Sequence, residues 1–190
     1  MNAAVFLDRD GTLIDDVDYL SGFDQMMLFP WTVDALRLIA RAGFLTVVVT
    51  NQSAVARGIV TEDFIRETHA ELNRRLQCGG VHIDAFYFCP HHPEAAIERY
   101  RGHCRCRKPE PGMLEDAARE LSIDLSRSWM VGDRWIDVAA GNAAAVRSLL
   151  VRSGHAARAQ ETPPHGIRAD AILNNLMEAI GWILQDSTSR

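Results

Sequence analysis

The run Asp8-Arg9-Asp10-Gly11-Thr12-Leu13 follows directly on the apolar segment Ala4-Val5-Phe6-Leu7, so two carboxylates leave the end of a buried strand two residues apart. That arrangement suits phosphoryl transfer. A carboxylate held at a strand terminus can attack phosphorus, and a second one can trade a proton with the departing oxygen. Gly11 gives the loop backbone freedom, and Gly11 and Thr12 supply N–H donors for an anion. Three later segments carry matching groups. Thr50-Asn51-Gln52-Ser53 offers hydroxyl and backbone donors for phosphate oxygens. Lys108, before Pro109, is a point positive charge for a transferring phosphoryl group. Gly132-Asp133-Arg134-Trp135-Ile136-Asp137 brings a second pair of acids after another apolar run. Mg2+ wants oxygen ligands and accepts few from protein, and Asp8, the backbone carbonyl of Asp10, and Asp133 would serve. Asp137 reads as a helix-capping, supporting acid.

A second cluster is Cys89-Pro90-His91 with Cys104-Arg105-Cys106. Three thiols and one imidazole are the ligand count of a closed, structural zinc site, with His92 and His103 as competing imidazoles and a reduced, metal-free loop as the alternative. Arg107 and Lys108 follow at once, so a metal in this loop would order both. Cys78 reads as a core or surface thiol.

The elements that must hold these groups alternate between short apolar runs and amphipathic segments, the pattern of an α/β fold with a doubly wound, Rossmann-like parallel sheet. Strands are expected at Ala4 to Leu7, Leu45 to Thr50, Ile83 to Phe88, Ser128 to Val131 and Val146 to Val151. Helices are expected over Thr32 to Ala42, from a cap at Thr61 to about Gly79, from Pro111 to Leu121, over Trp135 to Ala144 and over Ala171 to Leu184. The first should bury Val33, Leu36, Ile39 and Ala40, and the last Ile172, Leu176, Ile180 and Leu184. Gly154 to Arg168, with Pro163-Pro164, reads as a loop. The acids, Thr50 and Lys108 then fall at or after strand ends, where open α/β sheets bind ligands. No gap leaves room for a large cap domain.

With 190 residues, 47% of them hydrophobic and 24% charged, the composition is that of a single domain spanning 1–190. A net charge of −5 argues against a nucleic-acid or anionic membrane surface. No stretch approaches the roughly 20 apolar residues of a membrane span, and no basic-then-apolar leader precedes Asp8, so a cytoplasmic protein is expected. Three of the four cysteines crowd into one loop, which favours metal over disulfides.

The motifs DRDGT at 8–12, Thr50-Asn51, Lys108 and GDxxxD at 132–137 resemble, in order and spacing, the haloacid dehalogenase (HAD) superfamily of phosphatases. The longer strings TNQSAVARG at 50–58, CPHHP at 89–93, CRCRKPEPGM at 104–113 and MVGD at 130–133 look like one branch of it. That branch removes the 7-phosphate of D-glycero-D-manno-heptose 1,7-bisphosphate in nucleotide-activated heptose biosynthesis. The resemblance implies Asp8 as nucleophile through an aspartyl-phosphate and Asp10 as general acid/base. It implies Mg2+ on Asp8, Asp10, Asp133 and the Arg134 backbone, and structural Zn2+ on Cys89, His91, Cys104 and Cys106. Thr50 and Lys108 would stabilise the phosphoryl group, and Asp16, Tyr19, Asn51, Ser53, Arg57 and Arg107 would bind a small sugar phosphate. Arg134 stands where the family often has lysine, and Ala54 where glycine is common. Histidinol-phosphate phosphatase shares the DRDGT motif and zinc loop and is the alternative, with a non-catalytic phosphosugar-binding module further behind. No surplus apolar helix face is evident, so a monomer is expected.

Overall fold

The computed structural model describes residues 1–154 and 163–188. The five expected strands form, joined by a sixth: β1 (Ala4–Leu7), β2 (Leu45–Asn51), β3 (Ala85–Cys89), β4 (Trp129–Gly132), β5 (Arg147–Val151) and β6 (Ala171–Leu173). All neighbours pair in parallel, in the order β3-β2-β1-β4-β5-β6. Chain order therefore runs outward on both sides of β1, and the connections leave β1 and β4 in opposite directions. A crevice opens at the carboxyl ends of that pair, the usual ligand position in a doubly wound sheet.

The helices are α1 (Thr32–Arg41), the short α2 (Ser53–Ala56), α3 (Glu62–Gln77), α4 (Gly112–Glu120), α5 (Trp135–Ala143) and α6 (Leu176–Thr188). They cover both faces because the sheet is apolar on both. Within β1, Val5 and Leu7 pack with α1, α3 and α6 through Leu36, Leu72 and Ile180, whereas Ala4 and Phe6 pack with α4 and α5 through Leu114 and Ala140. This is the two-residue side-chain alternation of a strand serving two cores. Thr61 caps α3 by accepting the Phe64 N–H at 3.1 Å, as its position before Glu62 and Asp63 predicts.

Three expectations about elements need correction. In α1 the buried stripe is Thr32, Ala35, Leu36 and Ile39, with Ala40 exposed, so the face is rotated toward the loop that follows β1. Thr32 explains the rotation, since its hydroxyl donates to the Leu13 carbonyl at 2.7 Å. In α3 the stripe expected from Phe64, Ile65, Thr68, Leu72 and Leu76 also takes in His69, and Phe64 is half-buried. The expected C-terminal helix begins five residues late, because Ala171–Leu173 pairs with β5 as an edge strand and leaves Ile172 45% exposed. Asn174 and Asn175 then make the break. The Asn175 side chain accepts the Glu178 N–H at 3.0 Å, and the Glu178 carboxylate reaches back to the Asn174 N–H at 3.0 Å. These reciprocal bonds start α6. Of the loop expected at 154–168, residues 155–162 lie outside the described residues.

Candidate active site

Asp8, Asp133 and Thr50 arrive on strand ends or directly after them, and Lys108 on the loop before α4. Asp8 continues β1, its N–H donating to Val131 O of β4 at 3.0 Å. The chain then turns back tightly, with the N–H groups of Leu13 and Ile14 converging on the Arg9 carbonyl at 2.9 and 3.2 Å. Among the described residues, no backbone N–H donates to the Asp10 carbonyl, so that oxygen is open to a hard cation. Gly11 sits at φ +79°, and a Cβ there would lie 2.4 Å from Asp133 Oδ2. A Cβ on Gly154 would meet the same oxygen at 2.4 Å. Two glycines thus let the backbone close around the Asp133 carboxylate.

Asp8, Asp133 and Asp137 each bring a carboxylate oxygen within 4.8 Å of the others, all three side chains being buried. Lys108 enters this cluster from the other side, its Nζ 2.8 Å from Asp8 Oδ1 and 2.6 Å from Asp137 Oδ1, while donating to Val49 O at 2.8 Å. The ammonium is thus ion-paired with two carboxylates and hydrogen-bonded to a carbonyl. Burial alone would lower the Lys108 pKa, but Asp137 and Asp8 outweigh it and hold the ammonium above its ordinary range. Burial pushes the Asp137 carboxyl up against the opposing pull of Lys108. Its second oxygen accepts the Arg134 N–H at 2.9 Å, so Asp137 caps α5 and anchors Lys108 at once. With both oxygens engaged this way, Asp137 suits an anchor better than a metal ligand. Asp8, Asp133 and the Asp10 carbonyl remain an all-oxygen set that fits Mg2+. Arg134 was expected to add a backbone ligand. Its carbonyl accepts from Asp137 N at 3.0 Å and Val138 N at 3.5 Å as the helix opens.

Other expected site residues divide between the crevice and its supports. Thr50 is buried at the end of β2, its Oγ1 accepting from Gln52 Nε2 at 2.8 Å. Asn51 was expected to face substrate, but its amide clamps the Lys108 backbone. It donates to Lys108 O and accepts from Lys108 N, both at 3.0 Å. Ser53 opens α2, half-buried. The Arg57 guanidinium lies 5.7 Å from the centre of the Tyr19 ring, joining the turn after β2 to the flap that carries Asp16. Asp16 Oδ1 accepts from Asp18 N at 3.1 Å, shaping that flap.

The zinc loop comes together as its pattern predicts. Sγ of Cys106 lies 3.0 Å from Sγ of Cys89 and 3.3 Å from Sγ of Cys104, and His91 Nδ1 is 3.6 and 3.5 Å from Sγ of Cys89 and Cys106. A tetrahedron with ordinary Zn–S and Zn–N bonds has edges of about 3.8 and 3.5 Å, so the donor set fits zinc after slight expansion among the sulfurs. Hydrogen bonding from Cys89 pulls the Cys106 thiol down to about 5. Cys89, bonded to Cys106 and buried, is pushed up. His92 does not compete, because its Nδ1 accepts the Glu94 N–H at 3.1 Å. His103 lines a cleft of about 620 Å3 with Pro93, Arg105, Arg107 and Lys108. Arg107 is tied to the loop by donating to His91 O at 2.9 Å, and burial lowers its pKa.

Sequence reasoning assigned no role to Arg9 or Gln52. Arg9 donates through Nε and Nη2 to the Asp10 carboxylate at 2.9–3.1 Å, and through Nη2 to Gln52 Oε1 at 3.0 Å. Gln52 Nε2 donates to Asp10 Oδ2 at 2.8 Å. The available signal was two polar side chains lodged between apolar strands, which only pay for their burial if they bond to each other or to the site.

Comparison with known proteins points the same way. Residues 105–179 match a family model described as HAD-hydrolase-like. The chain is 40% identical over 176 residues to the D-glycero-β-D-manno-heptose-1,7-bisphosphate 7-phosphatase of Photorhabdus laumondii, covering 92% of both chains. It is 42% identical to the enzyme of that name from Escherichia coli K12, covering 92% of this chain and 90% of that one. Among solved structures, it is similar to a D,D-heptose 1,7-bisphosphate phosphatase from B. bronchiseptica complexed with magnesium and phosphate. The TM-score is 0.82 and the identity 32%, over 98% of this chain and 99% of that one.

Proposed function

We propose, because the chain belongs to the D-glycero-β-D-manno-heptose-1,7-bisphosphate 7-phosphatase family of HAD-like hydrolases, that it removes the 7-phosphate of that sugar bisphosphate in nucleotide-activated heptose biosynthesis. The observation that carries the chemistry is Lys108 Nζ, buried between Asp8 and Asp137 at the carboxyl ends of β1 and β4. It neutralises a carboxylate that must approach a phosphate anion.

Asp8 forms its bond to phosphorus as the bond from phosphorus to the sugar oxygen breaks. The electron pair stays on that oxygen, which takes a proton from Asp10. A water then gives a proton to Asp10 and attacks the aspartyl-phosphate, releasing inorganic phosphate and regenerating the Asp8 carboxylate. Thr50 donates its hydroxyl proton to the phosphoryl group, and Lys108 stays paired with its developing charge. Asp8, Asp133 and the Asp10 carbonyl would hold Mg2+, which when bound supplies further positive charge for the transferring group. Zn2+ in the Cys89, His91, Cys104 and Cys106 cluster would be structural, holding Arg107 and Lys108 where substrate arrives.

Tyr19, Ser53, Arg57 and Arg107 would bind the sugar phosphate, and the two arginines suit the phosphate that is not cleaved. The enzyme is read as one domain without a large cap, working as a cytoplasmic monomer on a diffusible substrate. Among the described residues no helix is long and apolar enough to cross a membrane. The names of the relatives favour heptose over histidinol phosphate.

The test is kcat/KM with Mg2+ for both anomers of the heptose 1,7-bisphosphate, histidinol phosphate and simple sugar phosphates. A preference of ~100-fold for the β bisphosphate, worth about 2.7 kcal/mol, is expected. Equal or better turnover of histidinol phosphate would overturn the substrate assignment and leave the mechanism standing.

A further inference from the structure

We infer that Gln52 and Arg9 are positioning residues that aim Asp10 and Thr50 together at the phosphoryl group, so that the proton donor and the phosphoryl-binding hydroxyl are set by one shared network. The inference rests on the phosphatase reading above and concerns how its general acid is held.

Gln52 is buried, and its Nε2 has two protons and two acceptors, Asp10 Oδ2 and Thr50 Oγ1, each at 2.8 Å. Its Oε1 faces the Arg9 guanidinium at 3.0 Å. The opposite amide orientation would set oxygen against the Asp10 carboxylate and nitrogen against the arginine donor, so the network fixes which end is which. Two consequences follow. Thr50 Oγ1 has one lone pair taken by Gln52, which leaves its own O–H as the group to point at an incoming oxygen. Asp10, 25% exposed, is gripped from behind by Arg9 and Gln52, so only its open side faces the crevice.

The grip is rigid because both holders are anchored through the main chain. The Arg9 carbonyl receives the turn of Leu13 and Ile14, and the Gln52 N–H donates to Cys89 O at 2.8 Å. The Arg9 side chain is 1% exposed and cannot swing into water. Losing such a support displaces a general acid without removing it, and displacement by about 1 Å costs on the order of 100-fold.

A positioned proton donor matters when the leaving group is an alkoxide and hardly matters when it is a phenolate that leaves unprotonated. The test is therefore Gln52→Met in the zinc-loaded full chain with Mg2+, assayed on the heptose bisphosphate and on p-nitrophenyl phosphate. The sugar ester should lose ~30-fold or more in kcat/KM, mostly in kcat, and the loss on the aryl ester should be at least ~10-fold smaller. Equal losses on the two esters, or no loss on the sugar ester, would overturn the inference. If Gln52→Met does not fold, Gln52→Glu keeps the volume while replacing the donor with an acceptor, and the same split between esters is required of it. A wild-type enzyme that prefers a different sugar phosphate would strike the substrate reading alone, because the ratio between alkyl and aryl esters can be measured on whichever sugar phosphate it takes.

Discussion

Replacing His69 by leucine will make the fold markedly less sensitive to acid. His69 lies within α3, 5% exposed, stacked on Phe86 at 4.5 Å and edge-on to Phe88 at 5.8 Å. Burial, and then the charge of Arg9, push its pKa down from 6.5 to about 3. The folded chain therefore keeps the ring neutral while the unfolded chain protonates it, so stability falls as pH drops below 6.5 and stops falling near 3. Within that window each pH unit costs ~1.4 kcal/mol, so moving from about pH 7 to about pH 5 removes about 2 kcal/mol through this one side chain. The assay is urea unfolding of zinc-loaded wild type and His69→Leu at both pH values. Thiolate protonation at the zinc loop affects the two proteins alike and cancels in the difference. The drop between the two pH values should be about 2 kcal/mol smaller in the variant. Equal drops, within ~0.5 kcal/mol, would mean that burial of a neutral histidine is not what the acid attacks.

Gly11→Ala should cost ~1–2 kcal/mol of stability, because φ is +79° there. It should also lower kcat/KM by ~100-fold or more, because the new Cβ would displace the Asp133 carboxylate. A folded variant with wild-type activity and Mg2+ response would refute the close approach. Cys106→Ala should lose zinc, lower the unfolding midpoint and raise KM, since Arg107 and Lys108 follow that ligand directly; full activity in the metal-free variant would separate the loop from substrate binding.

The sheet was legible because its strands are apolar on both faces and flanked by amphipathic helices, and the reactive groups were legible because they fall where those strands end. The Ala171–Leu173 strand was not. Three residues carry too little periodicity to separate from the helix beyond, and only the Asn174-Asn175 break with Glu178 behind it marks the boundary. His69 and Arg9 were missed for a shared reason, that a buried polar residue betrays itself only through partners distant in sequence. Arg9 needs Gln52, 43 residues on, to make sense. Asn51 sat in the right motif, but its use on the Lys108 backbone depends on how residues 57 apart meet.

The sheet order also bears on how the chain is made. β1 pairs with β2 on one edge and with β4 on the other, yet about 120 residues separate Leu7 from Trp129. At about 5–20 residues per second, roughly 6–24 seconds of synthesis pass between the two strands. Throughout that interval the strand leading to Asp8 presents an unpaired Val-Phe-Leu edge, a template for stray β pairing. The crevice cannot exist until β4 docks there, so the nascent chain stays inert toward phosphate esters while it is most prone to aggregate.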